Sequence, residues 1–257
     1  MQEAIEGKLT VKWRAKNPDF GTAKELLEQI KTEKEKLIKD KKIKASKPLA
    51  QINEDEIPFD IPSSWEWCKI GDIAYSIVPN RDKPLSFSGE IPWITQTNFN
   101  ENSFLLDYSK SSLGLTKEET VKYNARIMPQ NSVIMSCVGR FDLVVVTEKD
   151  IVANQQLHCF VPFYNVVPEY VMYDIKILNF LQIKNAIKTT IQYLNKTKLE
   201  SILIPLPPIE EQKEIVATIE KLFAITDELE SEINQNKTTV NNLMATVLKE
   251  AFGHENV

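Results

Sequence analysis

Toward the end of the chain, hydrophobic positions recur at unbroken steps of four and three: Ile215, Ile219, Leu222, Thr226, Leu229, Ile233, Asn236, Val240, Leu243 and Val247. Eight of these ten are apolar, in a chain whose overall hydrophobic content is 42%. The spacing predicts a heptad seam on one continuous helix. Pro207 and Pro208 stop the preceding apolar run, Glu210 and Glu211 stand where the positive end of a helix dipole favours carboxylates, and no Pro or Gly follows before Gly253. A helix from Ile209 to Phe252 would be roughly 65 Å long at ~1.5 Å per residue. An apolar stripe of that length needs a covering partner, and Thr226 and Asn236 within it weaken packing while fixing register.

Upstream the pattern changes twice. From Thr22 to Asp40, Ala23, Leu26, Leu27, Ile30, Leu37 and Ile38 share one face of an amphipathic helix. Pro48, Pro58 and Pro62 keep residues 41–62 extended, as an ordered linker. From about Ser63 to Leu206 the runs are short or alternating: "EWCKIGDIAYSIV", "EIPWITQTNF", "NSVIMSCVGRFDLVVVTE" and "LHCFVPF" read as strands, and "EYVMYDIKILNFLQIKNAIK" as a helix. The expected class is α+β, a mixed α/β globular domain followed by a long coiled-coil helix, with segments 1–62, 63–206 and 207–257.

Charge changes this picture only by its distribution. The net charge is −5; Lys+Arg and Asp+Glu number 13 and 11 in residues 1–59, 14 and 15 in residues 60–205, and 4 and 10 in residues 206–257. A protein that binds DNA tightly by itself usually carries a basic excess somewhere, and no segment shows one strongly. The start "MQEAIEGKLT" has no apolar core of a secretory signal, and no run approaches a membrane span. A cytoplasmic protein without membrane association is expected. Cys68, Cys137 and Cys159 lack C-x-x-C spacing and read as buried free thiols. His158 lies in an apolar run and His254 near the terminus, so histidine supports neither a metal centre nor a triad. Seven glycines include no phosphate loop, and no cofactor is expected.

The stretch "LIPLPPIEEQKEIVATIEKLFAITDELE" resembles the strand-to-helix junction of specificity subunits of type I restriction-modification systems. The lead-in "QEAIEGKLTVKWRAKNPD", "AKELLEQIKTEKEKLIKDKKIKASKPL" and "EIPFDIPSSWEWCKIGDI" is similar to theirs, as is the order of "IPWITQTNF", "VIMSCVGRF", "ANQQ" and "TTIQYLNKTKLESILIPLPP". A weak similarity also links Gln2–Thr10 to Lys249–Val257. The resemblance implies a subunit without catalysis of its own, whose target-recognition domain reads double-stranded DNA and which organises methyltransferase subunits and motor-nuclease subunits. A full family member carries two recognition domains and two spacer helices. This chain resembles half of one, whether a natural half-subunit or a fragment, and the resemblance with the open seam implies a homodimer through the C-terminal helix. Helices roughly 65 Å long would hold two domains over DNA stretches ~34 Å or slightly more apart, giving a bipartite target.

Base edges are read by amide, hydroxyl and guanidinium groups, and phosphates are held by Lys, Arg and hydroxyls. The expected DNA-binding residues are Thr95, Gln96, Thr97 and Asn98 after a strand, Arg140 at a hairpin following Gly139, Asn154 and Gln155, and Gln192, Tyr193, Asn195, Lys196 and Lys198 before the proline junction. Each stretch also reads as a plain polar loop. Arg81 and Lys83 read as loop charges, Trp65 and Trp67 as anchors of the first strand. The competing functional class is a coiled-coil scaffold or adaptor whose globular domain binds protein. A glycine-rich cofactor loop and an N/D-P-P-Y/F motif, which a DNA methyltransferase would need, are missing from the sequence; "NVVPEY" lacks the adjacent prolines.

Overall fold

The computed structural model describes residues 2–46, 48–80, 82–100, 103–185 and 194–252. In chain order the elements are α1 (Gln2–Ile5), α2 (Val11–Lys16), α3 (Ala23–Lys39), β1 (Glu66–Lys69), α4 (Ile70–Ile73), β2 (Ala74–Ile77), β3 (Ile91–Ile94), β4 (Gly114–Leu115), α5 (Lys117–Lys122) and β5 (Ile127–Met128). They continue with β6 (Val133–Ser136), β7 (Val144–Val146), β8 (Ile151–Ala153), β9 (Leu157–Pro162), α6 (Pro168–Asn185), α7 (Lys196–Glu200), β10 (Leu203–Leu206) and α8 (Ile209–Phe252). The α+β class with a long final helix is what the periodicity predicts.

The chain forms two compact units, Met1–Ile215 and Val216–Val257. This division differs from the expected boundaries at 62/63 and 206/207, and the packing of the first unit explains why. Ile5 of α1 clusters with Ile177 and Leu178 of α6, and Phe59 packs on the same cluster, so the lead-in is part of the globular core. Gly7 adopts φ +68°, and a Cβ there would stand 2.5 Å from Pro62 Cγ, so only glycine lets the two lead-in segments approach so closely.

Two four-stranded sheets share the main core. One has the order β2-β9-β6-β7 and is antiparallel; the other has the order β4-β3-β8-β5, with β3 and β8 parallel. Ile94, Met128, Ile134, Val145, Ile151, Leu157 and Cys159 meet in this core with Phe99, Leu106 and Leu143. The alternation of inward residues follows from the period of two along each strand. A separate antiparallel ribbon pairs β1 with β10, from Glu66 opposite Leu206 to Lys69 opposite Leu203, and so closes the domain where it begins and ends.

"EWCKIGDIAYSIV", read as strand, is β1, a helical turn and β2. Asp72 accepts the Lys69 backbone N–H at 3.0 Å, and this local bond competes with the ladder. Capping drives other elements too: Thr22 and Glu25 form a reciprocal capping box at the start of α3, and Thr116 and Glu119 do so for α5. Glu119 also accepts from Ser86 Oγ at 2.6 Å and from Ser88 N–H and Oγ, and these donors hold its carboxyl down to about 2.

The proline junction shows why acidic and amide residues follow it directly. Glu211, fully buried in the first turn of α8, accepts from Thr10 Oγ1 at 2.6 Å, from Trp65 Nε1 at 2.8 Å and from the Arg14 guanidinium. Gln212, equally buried, accepts from Val167 N–H and donates to the Pro207 carbonyl, both at 2.9 Å. The Tyr170 hydroxyl donates to the Pro205 carbonyl. One turn of helix thus ties together the lead-in, the first strand and the loop before α6.

Candidate nucleic-acid interface

The polar stretches singled out along the sequence lie where strands of the two sheets end. Asn154 N–H, just after β8, donates to the Ile94 carbonyl at the end of β3 at 3.0 Å. Gln96 Nε2 donates to Ser136 Oγ at 2.6 Å and to the Val138 carbonyl at 2.8 Å, joining the β3 end to the β6 end. Cys137 N–H donates to the Gln156 carbonyl at 2.9 Å, and Leu194 N–H to the Cys137 carbonyl at 3.0 Å. Segments far apart in sequence are thereby held side by side.

The turns form for local reasons. A single 3-10 turn at Gln96–Asn98 is fixed by Thr95 N–H donating to Asn98 Oδ1 at 2.9 Å, and Asn98 Nδ2 donates to the Asp107 carbonyl at 3.1 Å. Gly139 lies at φ +70° with nothing within 4 Å of a would-be Cβ, which turns the hairpin and exposes Arg140. Arg140 donates from Nε and Nη2 to the two Asp142 carboxylate oxygens at 2.9 and 2.7 Å, and this guanidinium holds the Asp142 carboxyl below the usual range. Asn154 Nδ2 donates to Gln156 Oε1 at 3.0 Å, while its own Oδ1 accepts the Gln156 N–H.

The expected site residues therefore divide. Thr97, Arg140, Gln155 and Gln156 are exposed at the converged strand ends, with Thr95 and Asn154 half-buried beside them. Asn98 is buried with both amide atoms bonded inside the fold, and the Gln96 amide is likewise engaged by the β6 end. Asn195 Oδ1 accepts Lys198 N–H at 3.0 Å and caps α7, so "NKTKLE" is a short helix rather than a plain turn. Lys196 pairs with Glu200 at 3.5 Å, and Lys198 is exposed. Gln192, Tyr193 and Arg81 lie outside the described residues.

Beside these loops is a cleft of about 380 Å³, lined by Thr95, Asn154, Gln155 and Gln156 together with Asn80, Asp82 and Lys83. No local pattern joins Asn80 and Lys83 to the site, because their position depends on β2 pairing with the distant β9, from Ala74 opposite Pro162 to Ile77 opposite Cys159. His158, by contrast, is buried, and its Nε2 lies 3.0 Å from Ser76 Oγ. Burial first, and the Lys196 charge second, pull its pKa down to about 3, so it is neutral. Among the described residues no group of His, Cys, Asp and Glu could hold a metal ion, and no helix is long and apolar enough to cross a membrane. The exposed set of hydroxyl, amide and guanidinium groups has the chemistry that binds base edges and phosphates.

In α8 the seam residues separate by burial. Ile215 and Ile219 are buried, whereas Leu222 is 51% exposed, Ile233 64% and Leu243 64%. Leu229, Val240 and Val247 are also exposed, as is polar Asn236. The open seam begins at Leu222, and Ile215 belongs to the core of the first unit.

A family model described as type I restriction modification DNA specificity domain matches residues 62–236. The specificity subunit of the type I restriction enzyme EcoEI from Escherichia coli is 26% identical over 263 residues, covering 93% of this chain and 42% of that one. The EcoAI specificity subunit from the same organism is 27% identical, covering 100% and 44%. This chain thus spans under half the length of these curated relatives. Among solved structures, a chain from a study of complex assembly and conformational transition of the type I R-M system matches with a TM-score of 0.59 at 18% identity, over 98% of this chain and 58% of that one. The HsdS subunit from Thermoanaerobacter tengcongensis matches with a TM-score of 0.57 at 18% identity, over 77% and 47%. These two likenesses concern the fold.

Proposed function

Because this chain belongs to the type I restriction-modification DNA specificity family, we propose that its first unit reads one half of a bipartite DNA target and that α8 is the spacer joining it to a second copy. The observation that carries the reading is the convergence of the 95–98, 137–140 and 154–156 loops, with Leu194, at strand ends braced by a buried core. Such bracing places exposed hydrogen-bonding groups on rigid elements, as base discrimination demands. The chain contributes sequence choice and scaffolding, and the methyltransferase and motor-nuclease subunits contribute chemistry. The charge distribution agrees with this division: a chain without a basic excess depends on its partners for much of its hold on DNA. The exposed stripe from Leu222 to Val247 gives the second copy its docking edge, and Asn236 sets its register.

The test is a mobility shift of the chain assembled with its methyltransferase subunits on a pool of duplexes, with the retained sequences read out. Retention of a split motif supports the reading, and a palindromic one adds the twofold pairing. The substitution Gln155→Ala is expected to relax choice at one position, at a cost of about 1–3 kcal/mol of discrimination. Retention without any sequence preference would leave a protein-binding scaffold as the better account.

A further inference from the structure

A second concave region lies on another side of β2. It is a groove of about 670 Å³ bounded by the end of α3 and the segment after it, by β2 and by the start of α7. Its charged lining is one-sided: Lys34, Lys42, Lys44, Arg126 and Lys196 against the single carboxylate of Glu200. The chain as a whole carries −5, so this concentration of cations runs against the general charge. It arises because three separate stretches, each unremarkable alone, are folded against one strand.

The groove is held in shape by its own hydrogen bonds. Lys41 takes a left-handed φ of 57° at the end of α3, where its N–H donates to the Ile38 carbonyl and the next N–H to that of Leu37, which swings Lys42 and Lys44 toward β2. Lys34 Nζ donates to the Gly71 carbonyl at 2.9 Å and Arg126 Nη1 to the Val78 carbonyl at 2.9 Å. Lys42 and Lys44 are exposed and make no ion pair among the described residues. β2 is the edge strand of its sheet, so among the described residues its outer side has no neighbouring strand. Val78 lines this groove and Asn80 lines the cleft of the reading loops, so one short segment borders both.

We propose that this groove holds the phosphate backbone of the DNA beside the bases being read, with Lys42 and Lys44 as its two free phosphate-binding cations. The inference rests on the DNA-reading assignment above and adds to it where the sequence-independent part of the affinity resides. Ammonium groups on flexible stems neutralise phosphates without selecting bases. The contribution of each is therefore electrostatic and measurable as counterion release.

The experiment uses the full chain assembled with its methyltransferase subunits and measures fluorescence anisotropy on several duplexes of unrelated sequence across a salt series. Lys42→Gln with Lys44→Gln should lower affinity for every duplex by a common factor, on the order of tenfold or more near ~0.1 M salt, and reduce the slope of log K against log salt by about 1.8. Lys12→Gln with Lys16→Gln, an equal charge change on exposed α2, should leave the slope nearly unchanged. An equal effect of the two pairs, or no effect of the groove pair while the unaltered complex binds, would overturn the groove and leave the reading face standing. Loss of subunit assembly with an unchanged slope would also overturn it, assigning the groove to an acidic protein surface. Failure of the unaltered complex to bind any duplex would remove both.

Discussion

Removing the Glu211 carboxylate tests whether the junction turn holds the first unit together. The side chain is fully buried and receives Thr10 Oγ1, Trp65 Nε1 and the Arg14 guanidinium, whose own side chain is 19% exposed. In Glu211→Ala the threonine and indole donors lose their acceptor in a dry site, and the guanidinium keeps the Gly7 carbonyl at 2.7 Å, a long bond to Thr10 Oγ1 at 3.5 Å, and water. Breaking a buried pair from one side costs about 3–5 kcal/mol, and the partial exposure of Arg14 points to the lower part of that range, about 3–4 kcal/mol. With a urea dependence near the upper end of the usual ~1–3 kcal/mol per molar, the midpoint should fall by more than ~1 M. Tryptophan fluorescence at fixed protein concentration reports the transition, since Trp65 is itself a donor to Glu211. The neighbouring Glu210→Ala is the control, because Glu210 is exposed and pairs with exposed Lys213 at 2.7 Å; its cost should stay within about 0.5 kcal/mol. Protease cleavage within residues 8–16 should rise in Glu211→Ala alone. Equal midpoints for the two variants would refute the reasoning, since the buried carboxylate would then be no stronger a tie than a surface one.

Two further predictions follow from buried and exposed extremes. Leu222→Asp or Ile233→Asp places a charge in the open seam and should abolish self-association while the first unit keeps its thermal transition; an unchanged sedimentation coefficient would count against pairing through α8. Asp174 is fully buried, neither carboxylate oxygen has a hydrogen-bond partner among the described residues, and burial raises its pKa well above the usual range. The folded state therefore favours the protonated form: its contribution is fully present below the unfolded value of ~3.9 and is lost as pH rises through the folded value. Asp174→Asn should flatten the fall of stability above pH ~4, and urea midpoints that keep the same pH slope in the variant would contradict this.

Legibility in the sequence followed the range of the interactions. The seam of α8 and the face of α3 were readable because a helix repeats its environment every turn, so ten positions of one pattern outweigh any single residue. The turn between β1 and β2 is hidden in the sequence because Ile70 and Ile73 are as apolar as strand residues, and the Lys69–Asp72 bond that marks it is a single local contact. The two-residue strands β4 and β5 carry too few positions to show alternation, and their existence depends on β3 and β8 as partners. Heptad spacing starts the seam at Ile215, because spacing does not tell a residue buried in its own domain from one awaiting a partner.

The site was legible as letters and illegible as geometry. Residue chemistry selects Thr97, Arg140 and Gln155, which are exposed, and also Asn98, which is buried, because an asparagine that caps a turn and one that reads a base have the same composition and the same loop neighbours. The basic groove was invisible for a related reason. Charge summed over residues 1–59 and over residues 60–205 is nearly balanced, whereas the groove draws Lys34, Lys42 and Lys44 from one of these segments and Arg126 and Lys196 from the other, with Glu200 as the single acid in its lining. Electrostatic potential depends on distance in space, so for a chain of this charge a segment count can exclude a basic domain but not a basic surface. Net repulsion from DNA therefore governs the whole molecule at long range, where −5 dominates, and weakens within a Debye length, ~10 Å at 0.1 M salt, of the groove itself.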